Sequence, residues 1–596
     1  MPKLSCEAQG LRQGCPKWEG EAPPPRSPYT DILGPLLAGG AGSSEDDGAG
    51  RQGVREVSAP DCGAEPAEEP SNRRLLGNVD PSARTNPEPQ DLYDLVVIGA
   101  GVAGLISCIV ARQLARRVAL VERHYMGGDC LNTGCVPSKA LIAASRQMAM
   151  VRKSADFGVS IPPGTISANF ATVMARMRRI RAEISEHDSV RRYSAELGVD
   201  VFAGDASFAG RNTLQIQGGP VLNFRKCIIA SGAGARVPAA LQGIPHLTSS
   251  NLWNLEALPP RLLVVGSGPI GLEIAQAMQR LGSQVTVLSG ASGVFASAEP
   301  EASLLIRQAL ERDGVTFVSG RLLRVVRRAP QGGEAAGLYQ APFGMYTAEL
   351  EEEGTGVRML EAEALLNATG RVPNLEGLQL GRALSGDSSD CSESDDQLGP
   401  LAVDEQLRTR NPDIFAAGDC LPGRDRFTHA AEWQARVAVR NALLSEGLDA
   451  RQLLVPRATY TDPEVASVGR SAKELRAAGV IFETFTRQAA DVDRNRCDGV
   501  TEGFAALHVA PSGVILGATV VGPSAGDHIS EVTLCMQHGL TAADLAGTMH
   551  PYPTAAEVVR QAAQAFVRSR IFKPESQEML KLASESTELV RSTITK

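Results

Sequence analysis

The chain has 596 residues, enough for several domains, because single hydrophobic cores stop growing at roughly 250–300 residues. Its formal net charge of −9 argues against nucleic acid or an anionic membrane as a partner. The sequence contains no run of about 18 apolar residues, so it predicts no membrane-spanning helix. The 11 cysteines, an odd number without regular spacing, do not resemble a secreted disulfide framework, so we expect a cytoplasmic protein.

Residues 1–90 are predicted to be a disordered extension. They are rich in Gly, Pro, Ser, Ala and acidic residues and lack a sustained hydrophobic period. Their acidic residues argue against a transit peptide, and they contain no apolar signal-peptide core. A processed targeting segment is the alternative. We expect order to begin at Tyr93.

The first ordered segment is predicted to bind a dinucleotide. A short apolar strand leads into the glycine motif GAGVAG, and a helix and a second strand follow, ending at Glu122. Gly99 permits a tight turn, Gly101 admits a pyrophosphate to the backbone amides, and Gly104 lets the helix approach the strand. Glu122 lies 23 residues after Gly99, where a carboxylate can accept both ribose hydroxyl protons.

A near copy of this unit follows later in the chain. Another apolar strand leads into Gly266, Gly268 and Gly271 in the motif GSGPIG, which is followed by a helix and a further strand. One GxGxxG motif is a weak signal, but two, each between a strand and a helix, are strong. The chain is therefore predicted to bind two dinucleotides.

Two cysteines lie close after the first glycine motif, in the segment GGDCLNTGCVPSK at 127–139. Cys130 and Cys135 are five positions apart, and Lys139 follows them. A disulfide that is repeatedly made and broken needs two thiols held close together and an electron carrier beside one sulfur. The segment therefore predicts a redox-active disulfide lying on a flavin.

The other segments carry fewer signals. Residues 385–397 form an acidic low-complexity insert, 329–356 resemble a loose hairpin, and 573–596 are a polar tail. A strand ending at Asp419 offers a carboxylate that could bond the polyol linker of a flavin.

Taken together, these motifs resemble the class I pyridine nucleotide–disulfide oxidoreductases, the family of dihydrolipoamide (dihydrolipoyl) dehydrogenase, glutathione reductase and mercuric reductase. The resemblance covers Leu92 to about Phe572. The motifs appear in family order: GAGVAG, GGDCLNTGCVPSK, IASGA at 229–233, GSGPIGLE, NATGRVPN at 367–374, IFAAGD, and HPYPT at 550–554 followed by Glu557.

The resemblance implies an α/β fold with two Rossmann-like domains, for FAD and NAD(P), and a C-terminal α+β dimerisation domain. The protein would be a homodimer. Gly370 and Asp419 would join the glycines, Glu122 and Lys139 as cofactor-binding residues. The implied division is a FAD-binding domain at 91–240, an NAD(P)-binding domain at 241–372, the second part of the FAD domain at 373–453, and a dimerisation domain at 454–572.

The resemblance also implies a mechanism. Hydride passes from NAD(P)H to FAD, and the reduced flavin opens the Cys130–Cys135 bond. Cys135 lies against the flavin and forms the charge-transfer thiolate, and Cys130 performs the interchange with the substrate. Lys139 stabilises negative charge near the flavin, and Glu273 is its partner, because a lone buried ammonium is costly.

The sequence departs from the family at Tyr552. Dihydrolipoamide dehydrogenase and glutathione reductase carry a His there as general base, paired with the Glu that corresponds to Glu557. A phenol titrates near pH 10, against about 6.5 for imidazole, and cannot replace it at neutral pH. His550 lies two residues earlier, and we expect its ring to point elsewhere. Mercuric reductase resembles this chain in having Tyr at this position.

Other features separate the chain from mercuric reductase. The C-terminal tail of this chain carries no cysteine pair, and no GMTCxxC module precedes its core, so we expect no resident metal site. Asp129 replaces the usual Thr, and its charge would raise the pKa of Cys130 if the carboxylate were close. The nicotinamide cofactor stays open, because Ser289, Gly290 and Ala291 offer neither an acid nor an Arg.

The sequence therefore predicts a homodimeric, mercuric reductase-like flavoprotein that oxidises NAD(P)H and reduces a small-molecule disulfide or a thiol-bound metal ion. Dihydrolipoamide dehydrogenase is the first alternative. The second is a flavin-binding redox sensor without significant turnover.

Overall fold

The computed structural model describes residues 69–162, 164–328, 344–352, 356–384, 400–423, 425–572, 577–578, 581–582 and 584. Within these ranges the chain forms three main sheets with helices packed on them. No helix in this part of the chain is both long and apolar enough to cross a membrane.

The first sheet has seven strands, and most of its residues are apolar and buried. They are β1 (Tyr93–Ile98), β2 (Val118–Glu122), β3 (Asp200–Ala203), β4 (Ala206–Gly210), β5 (Thr213–Ile216), β6 (Val221–Ile229) and β15 (Ile414–Ala416). Strands β3, β2, β1, β6 and β15 run parallel in that order. The first residues of β6, 221–223, pair antiparallel with β5, which pairs antiparallel with β4. This parallel order with a glycine turn after β1 is the dinucleotide-binding arrangement.

The helices that accompany the first sheet along the chain include the two that carry the cysteine segment. They are α1 (Pro70–Val79), α2 (Val102–Gln113), α3 (Gly128–Asn132), α4 (Cys135–Arg152), α5 (Phe170–Ile184), α8 (Leu380–Leu384) and α9 (Thr428–Leu444). The glycine motif turns β1 into α2, and α3 and α4 are separated only by Thr133 and Gly134. Cys130 therefore lies on α3, and Cys135 is the first residue of α4.

The second sheet repeats the βαβ pattern. Its elements are β8 (Arg261–Val265), α6 (Pro269–Leu281), β9 (Gln284–Ser289), α7 (Pro300–Arg312), β10 (Thr316–Arg328), β11 (Met345–Glu352), β12 (Gly356–Ala362) and β13 (Ala364–Asn367). The strand order is β12-β11-β10-β9-β8-β13, parallel from β10 to β13 and antiparallel from β10 to β12.

A short two-stranded ribbon connects the two nucleotide-binding units. Strand β7 (Ala233–Ala235) leaves the first sheet after β6, and β14 (Arg371–Pro373) leaves the second sheet after β13. The two strands pair antiparallel, with Gly234 opposite Val372. The second sheet is thus an insertion whose two ends are hydrogen-bonded to each other.

The C-terminal part is built on a five-stranded antiparallel sheet in the order β16-β17-β20-β19-β18. Its elements are β16 (Arg457–Thr459), β17 (Glu464–Gly469), α10 (Ala472–Ala477), β18 (Glu483–Gln488), α11 (Asp493–Cys497), β19 (Phe504–Val509), β20 (Ile515–Gly522), α12 (Ala525–Gln537), α13 (Ala542–Gly547) and α14 (Glu557–Ile571). Ser471 with Glu474 and Thr541 with Asp544 form capping boxes that fix the starts of α10 and α13.

The prediction that residues 1–90 are disordered is wrong for residues 69–90. Leu75 and Val79 of α1 are 1% and 0% exposed and pack into the first core. Beyond the helix, the Asn86 side chain exchanges two hydrogen bonds with the backbone of Ala203, at 3.0 and 2.7 Å. A short helix with only two apolar residues on one face gives little periodic signal, and it is stabilised by tertiary packing. Residues 1–68 lie outside the described residues.

The other predicted surface segments are described only in part. The hairpin expected at 329–356 includes β11, the middle strand of an antiparallel β10–β11–β12 arrangement, and its residues 329–343 and 353–355 lie outside the described ranges. The acidic insert at 385–397 and most of the polar tail at 573–596 also lie outside them.

Candidate active site

The turn after β1 is shaped to receive a group at its backbone. Gly99 has a φ of +98°, and a Cβ there would overlap the carbonyl of Ala230. A Cβ on Gly104 would overlap the carbonyl of Gly99. Only glycine at position 104 therefore allows α2 to approach the turn after β1 so closely. Gly101 is the N-cap of α2 and has no side chain, which leaves the helix N-terminus open to an anion.

A cavity of about 290 Å³ extends from this turn to the cysteine segment. Its lining includes six of the residues predicted from the sequence: Gly99, Gly101, Glu122, Cys130, Cys135 and Asp419. The structure therefore brings the phosphate turn, both cysteines and the distant Asp419 to one cavity. Gly370, with a φ of +118°, lies in the turn between β13 and β14.

Glu122 lies at the end of β2 with its carboxylate held by backbone amides. Oε2 accepts from the Ala100 amide at 2.6 Å, and Oε1 accepts from the His124 amide at 2.7 Å. Burial raises the pKa of Glu122, and these donors oppose the increase. Each oxygen keeps a second lone pair, so the carboxylate can still accept hydrogen bonds from a bound hydroxyl.

As a dithiol pair, the two cysteines have opposite electrostatic characters. The hydrogen bond between the two sulfurs lowers the pKa of Cys135 and raises that of Cys130. Thr428, at the start of α9, places its hydroxyl 3.1 Å from the Cys135 sulfur, and Lys139 adds positive charge. Burial further raises the pKa of Cys130. The dithiol thus carries its negative charge on Cys135, while Cys130 keeps its proton.

Lys139 and Glu273 form an ion pair beside the cysteines. Lys139 Nζ lies 2.9 Å from Glu273 Oε2 and 4.2 Å from the centre of the Tyr460 ring. The second oxygen of Glu273 accepts from the Tyr460 amide at 2.9 Å. Glu273 is almost fully buried, so its carboxylate and the aromatic ring together hold the ammonium in place.

Asp129 does not act on Cys130 as the sequence suggested. Its carboxylate is ion-paired with Arg371 of β14. Arg371 Nε also lies 3.7 Å from Asp419, whose pKa is raised by burial and lowered by Arg371. The acidic group that adds to the raised pKa of Cys130 is instead Asp188, itself a carboxyl whose pKa is raised by burial.

The second glycine motif forms a similar turn between β8 and α6. Gly266 has a φ of +114°, and Cβ atoms on Gly266 and Gly271 would overlap backbone carbonyls, whereas Gly268 faces open space. Ser289, at the end of β9, is fully buried and donates to the Val318 carbonyl at 3.3 Å. No charged residue follows between positions 290 and 298.

The C-terminal residues Tyr552 and Glu557 are not part of this cavity. Tyr552 is 74% exposed, and its hydroxyl donates to Asp493 at 2.9 Å. Glu557 is buried and forms two hydrogen bonds with Arg560, at 2.8 and 2.6 Å, which lower its pKa. His550 points away, as expected, with Nε2 2.8 Å from Glu531.

Sequence reasoning missed Thr428, Arg371, Tyr460 and Asp188. Arg371 stood within the NATGRVPN motif, so its charge beside Gly370 was the available signal. Thr428 is the first residue of α9, after the N-cap Phe427, and no sequence motif singled it out. Nothing in the sequence places Asp188 near Cys130, because the two residues are 58 positions apart and share no motif, so their electrostatic interaction depends on the fold.

Comparisons with known proteins identify the family. A family model described as pyridine nucleotide-disulphide oxidoreductase matches residues 93–435, and the dimerisation domain of the same family matches residues 455–563. Among solved structures, LpdA from Mycobacterium tuberculosis has a TM-score of 0.67 and 26% identity, covering 79% of this chain and 99% of that chain. The HOCl-induced flavoprotein disulfide reductase RclA from Escherichia coli has a TM-score of 0.66 and 25% identity, with the same coverage.

Two kinds of relative are equally similar in sequence. The mercuric reductase of Bacillus cereus is 31% identical over 484 residues, covering 81% of this chain and 72% of the relative. The dihydrolipoyl dehydrogenase of Geobacillus stearothermophilus is 30% identical over 479 residues, covering 79% and 95%. The chain therefore belongs to the pyridine nucleotide-disulphide oxidoreductase family and is an NAD(P)H-dependent flavoprotein disulfide oxidoreductase.

Proposed function

We propose that this protein is a homodimeric, mercuric reductase-like enzyme that uses NAD(P)H to reduce a small-molecule disulfide or a thiol-bound metal ion through Cys130 and Cys135. The observation that carries the proposal is the polarised dithiol. Cys135 is stabilised as the anion by Cys130, Thr428 and Lys139, and Cys130 keeps its proton. One thiolate and one thiol, held together, can be oxidised to a disulfide and can also bind a soft metal ion.

The residues around the cavity fit FAD. The open N-terminus of α2 and the glycines of the first motif suit its pyrophosphate, Glu122 suits a ribose, and Asp419 suits its polyol linker. Bound FAD would supply the relay of an electron pair between the nicotinamide and the disulfide. Lys139, fixed by Glu273, would supply positive charge near the Cys135 thiolate. The second glycine turn would hold NAD(P)H.

The preference for a mercuric reductase-like acceptor rests on the C-terminal domain. A general base near neutral pH is needed to move the interchange proton in dithiol turnover. Tyr552 is exposed, but it cannot serve as such a base, because its side chain is a phenol whose pKa is raised by its hydrogen bond to Asp493. Glu557 is already paired with Arg560, and His550 with Glu531. The imidazole of His550 is paired with Glu531 and not with Glu557, so these residues do not reproduce the imidazole–Glu557 base of the dithiol enzymes.

Dihydrolipoyl dehydrogenase activity is the second candidate, because relatives of that name match as well as the mercuric reductases do. The same scaffold run with a dihydrolipoyl substrate would use the same cysteines. A redox sensor that binds flavin but turns over too slowly to matter is the candidate from another class.

An anaerobic acceptor screen tests the proposal. Purified holoenzyme would be given NADH or NADPH with a Hg(II)–thiol complex, lipoamide, glutathione disulfide or a quinone, and oxidation of the nucleotide would be followed by its absorbance. The proposal expects turnover with the Hg(II)–thiol complex or glutathione disulfide that disappears in Cys130→Ser. Turnover with lipoamide alone would replace it by the dihydrolipoyl candidate. Flavin reduction without turnover on any acceptor would replace it by the sensor.

A further inference from the structure

Helix α1 lies outside the part of the chain that matches the family, which begins at residue 93. Nevertheless it is not a loose appendage. Asn72, Leu75 and Val79, one turn apart on one face, are all at most 1% exposed. They pack toward α5 and the short turn at 185–188, where Asn78 also donates to Ser185 at 2.9 Å.

A closed series of hydrogen bonds runs from one end of α1 to the other around α3. The Val79 carbonyl accepts from the Met126 amide at 2.9 Å. The Asn132 side chain donates to the Met126 carbonyl at 3.0 Å, and the Asn132 carbonyl accepts from Arg181 at 2.9 Å. Arg181, which is fully buried, then donates to the Asn72 side chain at 3.2 Å.

Both ends of α3 are therefore attached to α1. Met126 lies just before the glycine pair that starts α3, and Asn132 is its last residue. Between them is Cys130. No residue of α1 lines the cavity, so the attachment comes from outside it.

We propose that α1 is a positioning element of the redox centre, which holds both ends of α3 and thereby the place of Cys130 relative to Cys135. A helix of five residues does not hold its own shape, because isolated helices shorter than about 12–15 residues are marginal in water. Disulfide formation tolerates only a narrow range of separation and direction between the two cysteines. Support from outside α3 is therefore required, and α1 supplies part of it through Met126 and Arg181, in addition to the packing of α4 and α5 on α3.

The inference deepens the proposed function, since it rests on the role of Cys130 as the interchange thiol. It predicts that loosening α1 exposes and misplaces Cys130 while leaving the FAD site intact. The effects of loosening α1 are measurable in the reduced holoenzyme without any acceptor. Failure of the acceptor screen would therefore leave this inference testable, and its own failure would leave the proposed function untouched.

Gly77 allows α1 to be loosened without removing a side-chain contact. It is exposed, and no atom lies within 4 Å of where its Cβ would be. Gly77→Pro removes an amide donor and clashes with the preceding turn. Relative to Gly77→Ala, it should shift the equilibrium between folded and unfolded α1 toward the unfolded form by roughly 100-fold. Gly77→Ala is the matched control, since alanine is the better helix former.

Three measurements on the full-length holoenzyme test the inference. Hydrogen exchange would be followed in the peptide that contains Met126, alkylation of Cys130 by iodoacetamide would be timed by mass spectrometry, and the midpoint potential of the Cys130–Cys135 couple would be determined by redox titration. We expect Gly77→Pro to accelerate exchange and to alkylate Cys130 at least tenfold faster, with a shifted potential and unchanged FAD content. Gly77→Ala should match the wild type in all three.

A second set of variants keeps the test decisive if Gly77→Pro folds poorly. Asn72→Ala removes the acceptor for Arg181 and should change alkylation and potential in the same direction as Gly77→Pro. Asn72→Asp keeps the acceptor oxygen and should restore wild-type values. Faster exchange at Met126 with a wild-type alkylation rate and potential would overturn the inference. So would loss of FAD from both Gly77→Pro and Asn72→Ala, because α1 would then serve folding as a whole.

Discussion

The hydroxyl of Thr428 offers a direct test of how the thiolate is stabilised. It lies 3.1 Å from the Cys135 sulfur, at the first residue of α9. A hydrogen bond to a charged group contributes about 1.5–3 kcal/mol. At 1.36 kcal/mol per pKa unit, Thr428→Val should raise the pKa of Cys135 by about 1–2 units. The N-terminus of α4, which begins at Cys135 and also favours the anion, is retained in this variant.

The assay is a pH titration of the thiolate–flavin charge-transfer absorbance in the two-electron-reduced enzyme. The sign follows from the chemistry: the hydroxyl stabilises the anion, so its loss moves the half-maximal absorbance to higher pH. Thr428→Ser keeps a donor and is the control, with a titration close to the wild type. The reasoning fails if Thr428→Val titrates with the wild type, or if Thr428→Ser shifts as far as Thr428→Val.

Three further outcomes are expected. Cys135→Ser should abolish the charge-transfer band while retaining FAD, whereas Cys130→Ser should keep the band and lose turnover; identical spectra would show that the roles are wrongly assigned. Tyr552→His should raise a low dihydrolipoamide activity, and adding Arg560→Ala should raise it further by freeing Glu557, within the about 10²–10⁴-fold that a general base supplies; wild-type turnover equal to an ordinary dihydrolipoyl dehydrogenase would contradict this. Discrimination between NADH and NADPH should stay within about tenfold, or roughly 1.4 kcal/mol, because the loop after β9 carries no charge; a preference above about a hundredfold in steady-state kcat/KM would refute it.

The family and the α/β fold class predicted from the sequence are confirmed. They could be predicted because a glycine turn is a local feature. The few residues around Gly99 and around Gly266 are enough to predict each turn. The contact between Lys139 and Glu273 spans 134 positions and was accessible only through the resemblance. Their catalytic roles, like those of the two cysteines, stay predictions.

What the sequence did not show depends on tertiary packing or on long separations. Helix α1 is too short and too polar to be recognised by its period. The pairing of Asp129 with Arg371 joins positions 242 residues apart, so the charge on Asp129 could not be assigned a partner. The pairing of Glu557 with Arg560 was different, since a spacing of three on a helix predicts an ion pair. It was overlooked because Glu557 was interpreted only through the family.

The β7–β14 ribbon bears on how the chain is synthesised and folded. Strand β15 pairs with β6, Ile414 opposite Cys227, so the first sheet lacks a strand until 187 more residues have left the ribosome. Joining such distant segments carries a loop-closure cost that grows slowly with length. The ribbon reduces this cost, because the inserted unit folds locally and brings its two ends together at Gly234 and Val372. The nascent chain then has only the span from β14 to β15, residues 374–413, left to close.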